Sequence, residues 1–131
     1  MNILLDTHTF IWYVEGSNEL SLVGRKHIED PTNQCFLSLV SLWEMSIKVS
    51  LGKLDLQEKF ETVLEDITQN GFELQPIIFD HVRQHTHLAW HHKDPFDRLL
   101  VAQCLVEKMP IISRDAILDL YFENSIAKRI W

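Results

Sequence analysis

Short, mainly apolar runs alternate along this chain with longer stretches in which apolar residues recur at helical spacing. NILL (2–5), QCFLS (34–38), FELQPI (72–77) and PIIS (110–113) read as strands, and a further short strand is expected near 124–130. Between them the pattern predicts helices over 7–15, 21–30, 41–51, 57–70, 78–88 and 94–108, with a short one from Asp115. The helix over 57–70 turns Phe60, Val63, Leu64 and Ile67 to one face, and Gly71 closes it. Gly52 stops the helix opened by Ser41, and Asp30-Pro31 ends the one before the second strand. Apolar strands alternating with helices indicate an α/β fold around a mainly parallel sheet. In such a sheet the ligand crevice lies beyond the carboxyl ends of the strands. No repeat, low-complexity segment or linker interrupts the pattern, so residues 1–131 read as one domain.

Composition adds limits on class. The chain is 46% hydrophobic, with four Trp and seven Phe, which is enough for a core without staples. Cys35 and Cys104 both lie in apolar runs and read as buried free thiols in a reducing compartment, with a bridge between them as the alternative. No stretch approaches the ~20 apolar residues of a membrane span. The start MNILLDTHTF has no basic leader, so the expected location is cytoplasmic, with no membrane partner. A net charge of −7 argues against gripping nucleic acid through a basic surface. It does not argue against acting on nucleic acid through bound cations.

Four acids stand at the junctions where such a sheet would place a site. Asp6 follows the first strand, and Asp115 follows PII within Ser113-Arg114-Asp115. Glu44 sits one turn into the helix after the second strand, and Asp97 one turn into the helix opened by Asp94-Pro95. If the strands are parallel, Asp6, Glu44 and Asp115 emerge at one edge, and Asp97 joins them if its helix begins there. Each acid also has a structural reading. Asp6 and Asp115 suit helix N-caps, Ser41 to Glu44 forms a capping box, and Asp94 with Pro95 makes a cap that leaves Asp97 favourable to the helix dipole. Capping does not explain why carboxylates would gather at one edge, where they repel unless cations or protons lie between them. A site for hard divalent ions such as Mg²⁺ is the simplest resolution, and it supplies phosphodiester hydrolysis without a Ser or Cys nucleophile. No Gly-x-Ser-x-Gly, His-Glu-x-x-His or phosphate-cradling glycine loop competes.

The segments LLDTHTFIW (4–12), SLWEMSIKVSLGKL (41–54), HKDPFDRLLVAQ (92–103) and IISRDAILDLY (111–121) resemble the PIN-domain family, in particular the VapC-like toxins of bacterial toxin–antitoxin systems. They follow the family order and span nearly the whole chain. The resemblance implies a PIN-like three-layer sandwich, with a mainly parallel central sheet of four to five strands flanked by helices. It also implies a Mg²⁺- or Mn²⁺-dependent endoribonuclease with one or two ions, a cognate antitoxin that blocks the active site, and a homodimer. Asp6, Glu44, Asp97 and Asp115 match the family's four acids in order and are the expected metal ligands and catalytic residues. Asp94 belongs to the DPFDR form of the motif and reads chiefly as a cap. Thr7 and Ser113 are placed to hydrogen-bond a carboxylate or an ion's water. Lys48, Arg98 and Arg114 are candidates for phosphate contact, with surface ion pairing as the alternative for each.

Other features weigh less. His81 and His85 have i, i+4 spacing and His87, His91 and His92 follow, but without a cysteine pair they read as a polar helix face and loop rather than a zinc site. His91, His92 and Lys93 are also candidates for the substrate approach. Phe10, Trp12, Tyr13 and Trp43 read as core, and any that prove exposed would be candidates for a dimer or antitoxin surface. A haloacid-dehalogenase-type hydrolase would want an acid where His8 stands, and the acidic pair of a receiver domain is missing. A DNA-directed nuclease and a catalytically silent binding module remain the alternatives, the second with little support while all four acids are present.

Overall fold

The structure is a computed structural model that describes residues 1–131. Five strands, β1 (Asn2–Leu5), β2 (Gln34–Ser38), β3 (Glu73–Gln75), β4 (Ile111–Ile112) and β5 (Arg129–Ile130), form one sheet in the order β3-β2-β1-β4-β5. Every neighbouring pair is parallel. At the centre, β1 pairs with β2 from Asn2↔Gln34 to Leu5↔Leu37, and with β4 through Leu4↔Ile111 and Leu5↔Ile112.

The period of two along β1 divides the core between the two faces of the sheet. Ile3 and Leu5 pack with Phe10 and Ile11 of α1 (Thr7–Val14), Ile28 of α2 (Leu22–Glu29), Met45 of α3 (Leu39–Ser50) and Ile67 of α4 (Val63–Gln69). Leu4 faces the other way, against Val40, Leu88 beyond α5 (Phe79–Thr86), and Leu100, Val101 and Ala102 of α6 (Pro95–Glu107). Strands covered on both faces are apolar throughout, which is why these segments read as unbroken hydrophobic runs. The result is the expected three-layer α/β sandwich. Cys35 and Cys104 are buried and free. No helix is long and apolar enough to cross a membrane.

Several boundaries differ from the sequence reading. The third helix starts at Leu39, and Ser38 is its cap, with extended backbone and its Oγ accepting from the Val40 N–H at 3.0 Å. Strand and helix abut without a loop, so the predicted Ser41–Glu44 capping box does not form and Glu44 lies deeper in the helix. The predicted helix over 57–70 divides into a 3-10 turn at Phe60–Thr62 and the short α4. Val63 and Ile67 of that segment are buried, but Leu64 is 56% exposed, because the face set by those two residues points away from it. The third strand ends at Gln75, since Pro76 has no N–H to continue the ladder. The segment after Asp115 winds as a 3-10 helix over Ala116–Tyr121, and the last strand is reduced to Arg129–Ile130.

Candidate active site

The ends of the central strands define one edge of the sheet, and the acids converge there. Asp6 leaves β1 in extended conformation and caps α1, its Oδ1 accepting from the Thr9 N–H at 2.8 Å. Asp115 caps the 3-10 helix beyond β4 through Oδ1, which accepts from the Ile117 N–H at 3.1 Å. Asp94 caps α6, accepting from the Phe96 and Asp97 N–H groups at 2.8 and 3.1 Å. With Pro95 as the first helical residue, α6 starts at this same edge and presents Asp97 from its first turn. Asp6, Asp97 and Asp115 line one open cleft together with Thr7, His8, Trp12 and Arg114. Its volume of about 430 Å³ leaves room for an ion, waters of ~30 Å³ each and a phosphodiester. The capping and clustering readings are therefore compatible. One carboxylate oxygen of Asp6 and of Asp115 caps a helix while each side chain still lines the cleft.

Glu44 does not line the cleft. It is buried beside the floor, held by the residue that follows Asp6. Thr7 Oγ1 donates to Glu44 Oε1 at 2.6 Å and lies 2.9 Å from Ser41 Oγ. A hydroxyl has one proton to give, so Ser41 is the donor in the second contact. Lys48, one helical turn on, donates to Glu44 Oε2. Ser113 sits between two of the acids. Its Oγ accepts from the Asp115 N–H at 3.1 Å, and its hydroxyl acts to lower the Asp6 carboxyl.

This crowding shows in the ionisation of the acids. Burial, together with the charges of Asp94, Asp6 and Glu44, pushes the Asp97 carboxyl up to about 7. Burial raises Asp6 as well, against hydrogen bonds from Ser113 and Thr9 that hold it down. Burial by itself would lower the Lys48 ammonium. The Glu44 hydrogen bond and the charges of Glu44, Asp94 and Asp97 outweigh it and leave Lys48 raised. A carboxyl raised this far between like charges is the electrostatic condition that a divalent cation relieves. The donors in the cleft are hard oxygens, which suit Mg²⁺ or Mn²⁺.

At the centre of this arrangement stands His92, which the sequence offered only as a candidate for the substrate approach and not as a partner of the acids. His92 Nε2 lies 2.7 Å from Asp115 Oδ2 and 3.2 Å from Asp97 Oδ2, so the imidazole lies against two of the acids. The only sequence signal for it was its place two residues before the Asp94 cap. Arg98 departs from expectation. It is only 2% exposed and does not reach toward a phosphate. Its guanidinium donates to Ala89 O at 2.7 Å and to Tyr121 Oη at 3.2 Å, and lies 3.6 Å from the centre of the Trp90 ring. It therefore organises the loop that delivers His92. Arg114 does line the cleft, where it stacks over Trp12 at 4.7 Å and pairs with Glu19 at 2.7 Å.

The other histidines form no metal cluster. His81 is fully buried rather than on a polar face, accepting from the Ile78 N–H through Nδ1 and lying 2.8 Å from Glu107 through Nε2. Phe10 is core, Trp12 and Tyr13 are half-buried, and Trp43 is 59% exposed, with its ring edge-on to Phe96. A small cavity of about 70 Å³ between α1 and the segment before α4 has a mixed lining and none of these acids.

Comparison with known proteins follows the same line. The family described as the PIN domain matches residues 3–121. Among solved structures, the chain is similar to one described as VapBC2 from Rickettsia felis bound to a DNA fragment from their promoter. That likeness has a TM-score of 0.69 at 16% identity and covers 100% of each chain. No curated protein matches by sequence.

Proposed function

This chain belongs to the PIN-domain family, and from that premise we propose that it is a Mg²⁺- or Mn²⁺-dependent endoribonuclease, the toxin of a toxin–antitoxin pair. The observation that carries the reading is the convergence of Asp6, Asp97 and Asp115 on one open cleft, with Glu44 buried beneath and no nucleophilic Ser or Cys among the lining residues. Asp6, Asp97 and Asp115 hold one or two ions through their cleft-facing oxygens. Glu44 completes the negative site from below, directly or through its effect on Asp97. Bound there, a divalent cation would supply a water of lowered pKa and positive charge for hydrolysis of the phosphodiester.

The protein's own groups orient this chemistry. Thr7 and Lys48 fix the two oxygens of Glu44, and Ser113 accepts from the backbone N–H of Asp115. Arg114, on the cleft wall beside Trp12, is the cation placed to meet a backbone phosphate. Asp94 serves as the cap of α6 and acts on the site through the position of Asp97. An antitoxin partner and a homodimeric assembly belong to the same proposal. Exposed Leu39 and Trp43 on α3, and Phe79 on α5, are apolar surface suited to such contacts.

The test is cleavage of labelled single-stranded and structured RNAs, with DNA of the same sequences in parallel. Mg²⁺ or Mn²⁺ is compared with excess EDTA, and wild type with Asp97→Asn. Endonucleolytic RNA products that need metal and vanish in the variant are expected. Metal-independent cleavage, or equal activity in the variant, would overturn the mechanism. Preferential cutting of DNA would overturn the assigned substrate.

A further inference from the structure

His92, Asp97 and Asp115 offer one nitrogen and two oxygens within 4.8 Å of one another, an arrangement that invites a reading as a three-ligand metal site. The hydrogen bonds around the ring decide against it. Nδ1 lies 3.0 Å from the backbone nitrogen of Asp94, which is a donor only, so Nδ1 must be the acceptor. The ring proton then resides on Nε2, which donates to Asp115 Oδ2 at 2.7 Å and lies 3.2 Å from Asp97 Oδ2. A nitrogen that carries a proton has no lone pair for a cation. Ligation through Nε2 would require the proton to move to Nδ1, against the Asp94 N–H that already points there.

The backbone holds the ring in this state from both sides. The His92 N–H donates to Tyr121 Oη at 2.9 Å, and the Tyr121 hydroxyl donates to Ala89 O at 2.8 Å. Arg98, stacked on Trp90, donates to the same carbonyl and the same hydroxyl. The Asp94 side chain is committed to capping α6, which fixes the backbone whose N–H meets Nδ1. The loop thus defines both the position of the imidazole and its tautomer.

We infer that His92 is a positioning residue, an imidazole whose Nε2–H is donated to Asp115 Oδ2 with Asp97 close beside it, and which stays outside the coordination sphere of the ion. The inference rests on the metal-dependent reading of the cleft for its role, but not for the tautomer. With Oδ2 held by the imidazole and Oδ1 by the Ile117 N–H, the Asp115 carboxylate is fixed in orientation, and the ring sets its distance from Asp97, whose Oδ2 lies 3.2 Å from the same nitrogen. The ring keeps the two groups at this separation when no cation lies between them. This is how a hydrogen-bond donor behind a metal ligand governs affinity without touching the metal.

Two measurements test it. The first is long-range ¹H–¹⁵N NMR of the full-length protein, with the His92 ring assigned by its loss in His92→Gln. A protonated Nε2 and an unprotonated Nδ1, both without and with saturating Mg²⁺, are expected. Loss of the Nε2 proton when Mg²⁺ binds would overturn the inference. The second compares His92→Leu with His92→Gln, whose amide N–H reaches the place of Nε2–H. Leu should weaken Mg²⁺ binding and lower kcat by about 10–100-fold with KM for RNA little changed, and Gln should recover most of the loss. A Gln variant as impaired as Leu would overturn the inference, provided both unfold at similar temperatures. Absence of metal-dependent cleavage by the wild type would instead overturn the nuclease reading, while the NMR result reports the tautomer independently.

Discussion

Thr7 and Glu44 are joined by a 2.6 Å hydrogen bond between side chains 37 positions apart in the chain. Thr7 opens α1 directly after the first acid, and Glu44 lies in α3, so this bond fastens α3 to the helix that lines the cleft. Glu44 is buried and draws on Thr7 and Lys48 for its two oxygens. Removing the hydroxyl leaves a buried charged oxygen short of a donor, at a cost of about 1–3 kcal/mol. Thr7→Val should therefore lower the melting temperature and reduce cleavage, while Thr7→Ser keeps both near wild type. Thermal melts together with initial rates check it, and a Val variant equal to wild type would remove Thr7 from the site.

Asp97 carries a conflict between stability and function. Its pKa rises from the ordinary 3.8 to about 7, so between those values the folded protein holds a proton that the unfolded chain has released. Stability of the metal-free protein consequently falls as pH rises through this window, to a ceiling of about 4 kcal/mol for three pKa units. Solvent reaches part of the side chain, which brings the expected effect to roughly 1–3 kcal/mol. Asp97→Asn should flatten this dependence and be the more stable protein at pH 8 without metal, yet inactive. Urea unfolding at pH 5 and pH 8 gives the comparison, and a variant with the wild-type slope would contradict the assignment.

Metal should reverse that order. The ion requires ionised Asp97, so Mg²⁺ affinity should climb as pH passes about 7 and level off above it. At 100 times its Kd the ion stabilises the folded protein by about 2.7 kcal/mol. Wild type should gain this at pH 8, and Asp97→Asn much less. Melting curves against Mg²⁺ concentration at several pH values check it. A pH-independent midpoint concentration would separate Asp97 from the binding event.

Arg98 is predicted to be structural. Substitution by Ala leaves the carbonyls of Leu88 and Ala89 without their guanidinium donors and uncovers the face of Trp90, which is already 75% exposed. A loss of about 2–4 kcal/mol follows from a buried, multiply bonded side chain. Hydrogen exchange should quicken in the loop around 87–94, and Arg98→Lys, lacking the planar fork, should not restore it. A variant that loses RNA affinity but keeps full stability would return Arg98 to the phosphate-binding role.

The thiols give a simple probe of the native state. Burial raises Cys35 to about 11 and raises Cys104 further, so neither forms the thiolate that reacts. Both should resist a thiol reagent at pH 8 until the protein unfolds, when two equivalents react. Rapid labelling of the native protein would refute this.

The fold and the identity of the acids were legible along the chain because each has a local cause. Strands buried on both faces must be apolar throughout, and NILL, QCFLS and PIIS therefore announced a parallel sheet before any pairing was known. Asp94-Pro95 likewise predicted the start of α6 within a residue, because capping and the fixed φ of proline act over a few neighbouring positions. Where local signals compete, the reading slipped. Ser38 and Ser41 are both acceptable caps, and only the end of β2 in its pairing with β3 placed the helix start at Leu39. Tertiary structure alone decided which polar groups meet. Arg98 and Arg114 are equivalent as letters next to acids, but one is folded under the loop and the other lines the cleft. His92 reaches Asp115 beside Asp97 because the Tyr121 hydroxyl, itself held by Arg98, accepts its backbone N–H, and the Asp94 N–H donates to its Nδ1. Hydrogen bonds across such separations leave no periodicity in the sequence, and the direction of a side chain is set by the partners that packing brings to it.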